Sequence, residues 1–315
     1  MAIVLEALSK FDEQEAKQYI QMLFDGYINR KKEKRLFVET TIIPELIILT
    51  YYTCLQKIQF FNIYDNFKNK YISEDSVKNF KERYIYNENK LEDIHTREER
   101  MGLRKVYDYI QTKEDLQSIN LYTLTDIHEI LYSLTPYPEF GGKYRNDLRF
   151  LPNTGIDLTP PYMIVHEMNG LRDEIDNLVV MGNELGENKE PGKLIDYVDK
   201  CIELKCKLIK IHPFGDGNGR SVRAFINLLF KLANIPPVYI ENKEREKYGE
   251  AMQVALGDND LTKIKGFYYY KICDSIISLD AHFVDNNRKV QEDNLSNNSG
   301  DKPKIKIQRK EPLLK

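Results

Sequence analysis

Apolar side chains recur at intervals of three or four residues through most of this chain. Such spacing places them on one face of an α-helix, and it is clearest at 11–30, 36–60 and 193–210. Glycine and proline, which interrupt helices, are sparse outside one region. The periodicity therefore predicts an all-α fold of bundled helices, with further helices at 72–110, 127–134, 162–181, 221–232, 243–256 and 260–280.

Two clusters of turn-forming residues interrupt the helical pattern, at Gly141-Gly142 and at 152–155. Short strand-like pieces flank the second cluster, and Pro160-Pro161 follows them. A turn between two short apolar runs is typical of a hairpin. We therefore expect one small β-hairpin over 147–159 within the helical domain.

The composition changes toward the C-terminus, where residues 286–315 are polar and poor in apolar side chains. Such a segment cannot bury enough apolar surface to fold, so it is expected to be disordered. The chain thus divides into a helical extension at 1–85, a main helical domain at 86–285 and a polar tail.

Charge and composition narrow the classes of partner. The net charge is −3, so no basic field favours nucleic acid or an anionic membrane. The apolar run 46–55 falls short of the roughly 18 residues that cross a bilayer, and the first residues lack a signal-peptide pattern. The 4 cysteines are too scattered for a disulfide framework. We expect a cytoplasmic protein.

The run His212-Pro-Phe-Gly-Asp-Gly-Asn-Gly-Arg220 carries the clearest chemical signal. Closely spaced glycines lose much conformational entropy on ordering, so their backbone must serve a purpose. Placed before an apolar helix, the loop aims N–H groups at one point, which suits a phosphate. Arg220 and Arg223 would add charge, and Asp216 suits phosphate if Mg²⁺ lies between them. His212 could accept a proton near neutral pH.

The loop also has other interpretations. A glycine-rich turn between two helices is often only a connection. A calcium loop does not fit, because Arg220 and Asn227 stand where oxygen ligands are required. A P-loop does not fit either, because no Gly-Lys-Ser/Thr follows.

The run extends through Arg223 to resemble the Fic family signature, His-Pro-Phe-x-Asp/Asn-Gly-Asn-Gly-Arg-x-x-Arg, at every fixed position. Gly142-Lys-Tyr-Arg145 and the stretch 245–251 are similar to neighbouring family segments. The resemblance implies transfer of AMP from ATP to a Ser, Thr or Tyr hydroxyl of a target protein. His212 would be the base and Asp216 the Mg²⁺ ligand. Gly219 favours AMP transfer, since phosphate-transferring members carry lysine there.

The same resemblance implies two further sets of residues. The nucleotide would be bound by Phe214, Gly215, Gly217, Asn218, Gly219, Arg220, Arg223 and Tyr248. The target would dock by edge pairing on the hairpin, at Asp147, Leu148, Arg149, Phe150 and Thr159. A homodimer is left open.

Many family members carry an inhibitory helix, Ser/Thr-x-x-x-Glu-Gly/Asn, whose glutamate pairs with the last arginine of the signature. Here Glu92 occupies the glutamate position, with Glu88 in place of Ser/Thr and Asp93 in place of Gly/Asn. A second segment, 41–45, also matches this pattern and ends at Glu45, but it contains a proline. The alternative is that Glu92 belongs to a solvated, charged helix face.

Three other functions stay open from the sequence. Removal of AMP from a modified protein would use Glu92 to position a water molecule. A catalytically silent module would use the loop only to sense nucleotide, although His212 and Asp216 argue against it. DNA binding is the least favoured, since the charge is wrong and 256–285 shows no recognition helix.

Overall fold

A computed structural model of the chain describes residues 73–151, 154–187 and 191–279. The predicted helices at 11–30 and 36–60, most of the extension 1–85, Glu45 and the tail 286–315 lie outside the described residues. The predicted boundary between 85 and 86 falls inside a helix, and the domain division stays a prediction.

The described part of the chain is helical and contains no β-strand. Its helices are α1 (Glu74–Leu91), α2 (Arg97–Thr112), α3 (Leu121–Tyr132), α4 (Ile164–Gly170), α5 (Arg172–Glu187), α6 (Pro191–Ile211), α7 (Asn218–Leu232), α8 (Arg245–Gly257) and α9 (Thr262–Leu279). Short 3₁₀ turns lie at Pro138–Phe140, Pro161–Met163 and Asn242–Glu244. No described helix is long and apolar enough to cross a membrane.

The prediction of one helix over 72–110 is wrong, because α1 and α2 are separate. Ser73 does cap the first of them, in a capping box with Ser76. The break follows from Asp93, whose φ of 55° is left-handed and ends a right-handed helix. Thr96 then caps α2 through the N–H of Glu99.

Two other helix boundaries differ from the prediction. Helix α3 begins at Leu121 because Asn120 caps it, six residues before the predicted start at 127. The single helix expected over 162–181 is two helices, α4 and α5, that meet at Leu171 just after Gly170. The remaining predicted helices, α6 to α9, are confirmed within a few residues.

Helix α7 forms the centre of the molecule. Almost all of its side chains are buried, and it packs against α2, α3, α5 and α6. Phe225, Leu228 and Phe230 are fully buried in this core. The first turn of α7 follows directly on the glycine-rich loop, so the most constrained helix of the fold supports that loop.

The predicted β-hairpin is not confirmed. The described part of 147–159 forms no strand, and only 152–153 at its turn are outside the description. Leu148 and Phe150 are largely exposed, whereas Ile156 is buried against the core. A two-stranded hairpin is marginal in water when one of its strands buries little surface, which accounts for the irregular backbone.

Candidate active site

His212 lies immediately after α6 with a left-handed φ of 51°. Its half-buried ring places Nδ1 3.4 Å from the carbonyl oxygen of Ile209. A carbonyl only accepts, so Nδ1 carries the proton and Nε2 keeps its lone pair. Burial lowers the pKa of His212, against the opposite effect of the Ile209 carbonyl. The imidazole is therefore neutral at neutral pH and able to accept a proton.

The loop after His212 is held by buried side chains. The Asn218 amide donates to the Phe214 carbonyl (2.8 Å), and its oxygen accepts from the Phe214 N–H (2.9 Å). The Phe214 ring is fully buried and stacks on His128 at 3.8 Å between ring centres. Phe214 and Asn218 thus fix the loop's backbone, which positions the groups on either side.

His128 holds the loop from α3. The Gly142 N–H donates to its Nδ1 at 2.9 Å, so Nε2 carries the proton and donates to the Asp216 carbonyl at 2.9 Å. Burial lowers the pKa of His128 to about 4, which keeps the ring neutral. Both ring nitrogens are used, so His128 positions the backbone beside Asp216.

Gly217 begins α7 with a left-handed φ of 72°. A β-carbon there would lie 2.8 Å from the Tyr132 ring, so only glycine fits. The Tyr132 hydroxyl donates to Oδ2 of Asp216 at 2.7 Å. The Asp216 side chain is nevertheless 75% exposed, so its carboxylate faces outward.

Arg220 is almost fully buried in the first turn of α7. Its NH2 lies 3.2 Å from Glu99 and 3.7 Å from Asp216. Its Nε and NH1 have no hydrogen-bond partner. Buried donors are costly when left unpaired, and α7 adds the positive end of its dipole at this point. These donors suit an anion such as a phosphate.

Arg223, one turn further along α7, is paired on two sides. Its Nε donates to Glu88 and its NH2 donates to Glu92, both at 2.7 Å. Oε1 of Glu92 would lie 2.2 Å from a β-carbon at Gly219, so this carboxylate rests against the start of α7. Burial lowers the pKa of Arg223, but the carboxylate of Glu88 and, to a smaller extent, that of Glu92 raise it above its usual value. The guanidinium therefore stays charged.

The backbone around Glu92 accounts for the altered flanking residue. Glu92 is the C-cap of α1, and Asp93 adopts the left-handed φ that ends the helix. Glycine and asparagine favour this conformation, and aspartate also tolerates it. Arg245 donates to both carboxylate oxygens of Asp93, at 2.9 and 2.6 Å. The turn that places Glu92 is therefore intact.

Arg145 links the segment 147–159 to the His212 turn. Its Nε donates to the His212 carbonyl at 2.7 Å, and its guanidinium also donates to the carbonyls of Asp147 and Thr159. Its own N–H donates to the Pro213 carbonyl at 2.8 Å. One side chain thus fixes both ends of this segment beside the loop.

The predicted flap residues lie around this anchor. Arg149 pairs with Asp147 at 2.8 Å, and its NH2 would be 3.7 Å from a β-carbon at Gly215. Leu148 and Phe150 project outward, with 66% and 75% of their surface exposed. Thr159 donates through its N–H to Lys210 at 3.2 Å.

Tyr248 is half-buried on α8, with Lys205 Nζ 4.9 Å from its ring centre and the Phe267 ring at 5.6 Å. The structure brings Glu92 and Arg149 against the loop.

Four residues of the site were not predicted: His128, Tyr132, Glu99 and Arg145. They contact the loop from α2, α3 and the segment before 147, so no sequence spacing links them to it. Of these four, Arg145 alone belongs to a segment that resembles the family, Gly142-Lys-Tyr-Arg145. His166 is exposed on α4, and no described group of three or more His, Cys, Asp or Glu could hold a metal.

The fold and the loop together define an all-helical domain in which a neutral histidine and a buried arginine with unpaired donors flank one glycine-rich loop. Residues 118–230 match the model of the Fic/DOC family. This segment, about a third of the chain, is similar to the Fic/DOC family.

Relatives of known name agree with this classification. A protein adenylyltransferase Fic from Culex quinquefasciatus is 51% identical over 68 residues, which cover 22% of this chain and 14% of that protein. The protein adenylyltransferase fic-1 of Caenorhabditis elegans is 33% identical over 111 residues, or 35% and 18% of the two chains. The matches thus span less than a fifth of these relatives.

Solved structures share the fold. Fic-1 from Caenorhabditis elegans superposes with a TM-score of 0.58 at 15% identity, covering 80% of each chain. A Fic domain containing signalling protein from Bacteroides thetaiotaomicron gives 0.55 at 14% identity, covering 70% of this chain and 96% of that one.

Proposed function

We propose that this protein is an enzyme that transfers AMP from ATP to a Ser, Thr or Tyr hydroxyl of another protein. The observation that carries the proposal is the cluster at the start of α7. A neutral histidine, an outward carboxylate and buried arginine donors without partners belong to one short loop and the helix turn after it, which would suit an anion. Relatives matched in part by the chain are named protein adenylyltransferases, which supports the same chemistry.

In the proposed reaction, the target hydroxyl oxygen forms a bond to the α-phosphorus of ATP and pyrophosphate leaves. His212 accepts the hydroxyl proton at Nε2, the nitrogen with the free lone pair. The N–H groups at Gly217 and Gly219 and the Arg220 donors stabilise charge on the phosphates. Arg223 would meet the γ-phosphate when Glu92 is displaced.

The site also fits Mg²⁺. A single outward carboxylate, completed by phosphate oxygens and water, is a common magnesium environment. Asp216 would hold the ion, and Tyr132 would orient the carboxylate through its hydroxyl. The ion would neutralise charge on the phosphates.

The segment 147–159 is the proposed docking site for the target protein. The described residues 148–151 are in no strand, so their backbone can pair with an extended segment of the target. Leu148 and Phe150 provide exposed apolar surface beside the loop. Arg145 keeps this segment near His212. A target protein docked on the segment would therefore have its hydroxyl close to His212, the proposed base.

Glu92 is the proposed internal inhibitor. Its carboxylate contacts Arg223 and rests against the first turn of α7, where a phosphate would be expected. An anionic carboxylate at this point would exclude the γ-phosphate by occupancy and by repulsion. The Glu92 side chain is 35% exposed, so it can leave without unfolding the core.

The test is incubation with Mg²⁺ and ATP labelled on the α-phosphate, followed by measurement of label retained on protein. We expect label with the wild type, more label with Glu92→Gly, and none with His212→Ala. Glu98→Gly is the matched control, since Glu98 is an exposed acid in the adjacent turn. It should behave as the wild type.

Two results would contradict the proposal. Equal label with wild type and Glu92→Gly would remove the inhibitory role. Absence of label from every variant, although ATP binds, would favour nucleotide sensing or removal of AMP, and an AMP-modified protein would then be the substrate to test.

The proposal also concerns the compartment and the partners of the protein. Cys201, Cys206 and Cys273 are buried free thiols, as is common in a reducing compartment, which supports a cytoplasmic location. A protein target follows from the proposed reaction. The homodimer stays a prediction.

A further inference from the structure

Glu88 is a carboxylate that the inhibitory pattern does not require. It lies one turn before Glu92 on α1 and is fully buried. Its Oε2 accepts the 2.7 Å hydrogen bond from Nε of Arg223, and its Oε1 has no partner. A fully buried carboxylate is costly unless it is paired, so the contact with Arg223 holds both groups in place.

The two carboxylates on Arg223 differ in their freedom to move. Glu88 lies inside α1, between buried neighbours at Ile85 and Asn89. Glu92 ends the helix, and its side chain is 35% exposed. Glu92 can therefore turn into solvent, whereas Glu88 cannot leave Arg223 unless α1 moves.

The contacts also use different atoms of the guanidinium. Glu88 bonds to Nε, while Glu92 bonds to NH2. Loss of Glu92 would free the end of the guanidinium and leave Nε bonded. Without Glu88 the long side chain would have several rotamers available, and ordering it on a ligand would cost entropy.

We propose that Glu88 is a positioning residue that aims Arg223 at the γ-phosphate when Glu92 has left. This inference rests on the proposed function, because it assumes that Arg223 receives the γ-phosphate of ATP. Glu92 is then the exchangeable partner of Arg223, and Glu88 is the permanent one.

The test compares the affinities for Mg-ATP and Mg-ADP by calorimetry, since ADP lacks the γ-phosphate. His212→Ala is present in every variant to prevent turnover. With Glu92→Gly we expect ATP to bind about 10-fold tighter than ADP, the value of one charged hydrogen bond. Adding Glu88→Ala should bring the two affinities to within about twofold through loss of ATP affinity, with ADP affinity unchanged.

Two further variants control for folding. Glu88→Gln keeps an oxygen that accepts from Nε, so it should retain most of the preference for ATP. Glu88→Met keeps the size of the side chain without an acceptor, so it should lose the preference even if Glu88→Ala does not fold. A purely structural role would lower both affinities together and leave their ratio unchanged.

Retention of the ATP preference in Glu88→Met or Glu88→Ala would overturn the inference while leaving the proposed function intact. Equal binding of ATP and ADP in the Glu92→Gly background would overturn it as well, because Arg223 would not be meeting the γ-phosphate. No binding of ATP by any variant would remove the proposed function and the inference together.

Discussion

The loop 212–220 and the segment 147–159 lie side by side, yet they are held in different ways. Side chains from two helices bond the loop's backbone at several buried points, through Asn218 and His128. The described part of the segment is tied at its ends by Arg145, and Phe150 projects outward. The fold therefore fixes the backbone of the loop at several points, whereas it leaves residues 148–150 of the segment exposed.

The largest change in the free energy of unfolding should come from Asn218→Ala, which removes the side chain that bonds the loop's backbone. Two buried backbone groups of Phe214 would lose their partners, each at about 1–3 kcal/mol. We expect the free energy of unfolding to fall by about 4 kcal/mol in chemical denaturation. Asn169→Ala, at an exposed position, is the control and should change it little. Equal values for the two variants would show that the loop is not held in this way.

The next effect is a pH dependence that arises from His128. Its pKa falls from 6.5 to about 4 on folding because of burial, so the unfolded chain binds the proton more tightly. Its stabilising contribution is present above pH 6.5 and is lost as the pH falls toward 4. The loss should reach about 3 kcal/mol.

The measurement is the free energy of unfolding between pH 7 and 4 for the wild type and His128→Gln. The difference between the two curves isolates this histidine from other titrating groups. Parallel curves would mean that His128 is not buried as a neutral ring.

A smaller effect is expected when the anchor of the segment is changed by Arg145→Lys. An ammonium cannot span the carbonyls of Asp147, Thr159 and His212 that the guanidinium reaches. We expect a loss of about 2 kcal/mol in unfolding and faster proteolytic cleavage within 147–159. Arg149→Lys, on the exposed part of the segment, should leave the cleavage rate unchanged. Slow cleavage in both variants would argue against Arg145 as the anchor.

The smallest effect on stability should follow Phe150→Ala, because 75% of this residue is already exposed. The free energy of unfolding should change by less than about 0.5 kcal/mol. Labelling of a protein target should nevertheless fall, with ATP affinity unchanged, because the apolar contact with the target is lost. Undiminished labelling would place target docking elsewhere.

Sequence reasoning succeeded where one local segment determines the outcome. The helices α6 to α9 follow from apolar spacing, and the position of the glycine-rich run directly before α7 follows from the run itself. The break at Asp93 was missed because a left-handed residue that is not glycine leaves little trace in a helical pattern.

Contacts between distant segments could not be predicted. Glu99 meets Arg220 across 121 positions, and His128 meets Asp216 across 88. Such pairs depend on how α2, α3 and α7 pack against one another, and the spacing of residues in the sequence does not predict this packing. The pairing of Glu88 with Arg223 has the same origin, which is why Glu88 had been noted only as a departure from a motif.

Because Glu92 lies close to Gly219, the residue type at position 219 determines whether the Glu92 carboxylate can occupy its place. A side chain at position 219 and the carboxylate of residue 92 would claim the same volume, since a β-carbon would lie 2.2 Å from Oε1. Lysine at this position, which the family resemblance associates with phosphate transfer, would therefore expel the glutamate. In a relative with this arrangement, a single substitution of glycine by lysine would both change the group that is transferred and remove the proposed inhibition by the glutamate.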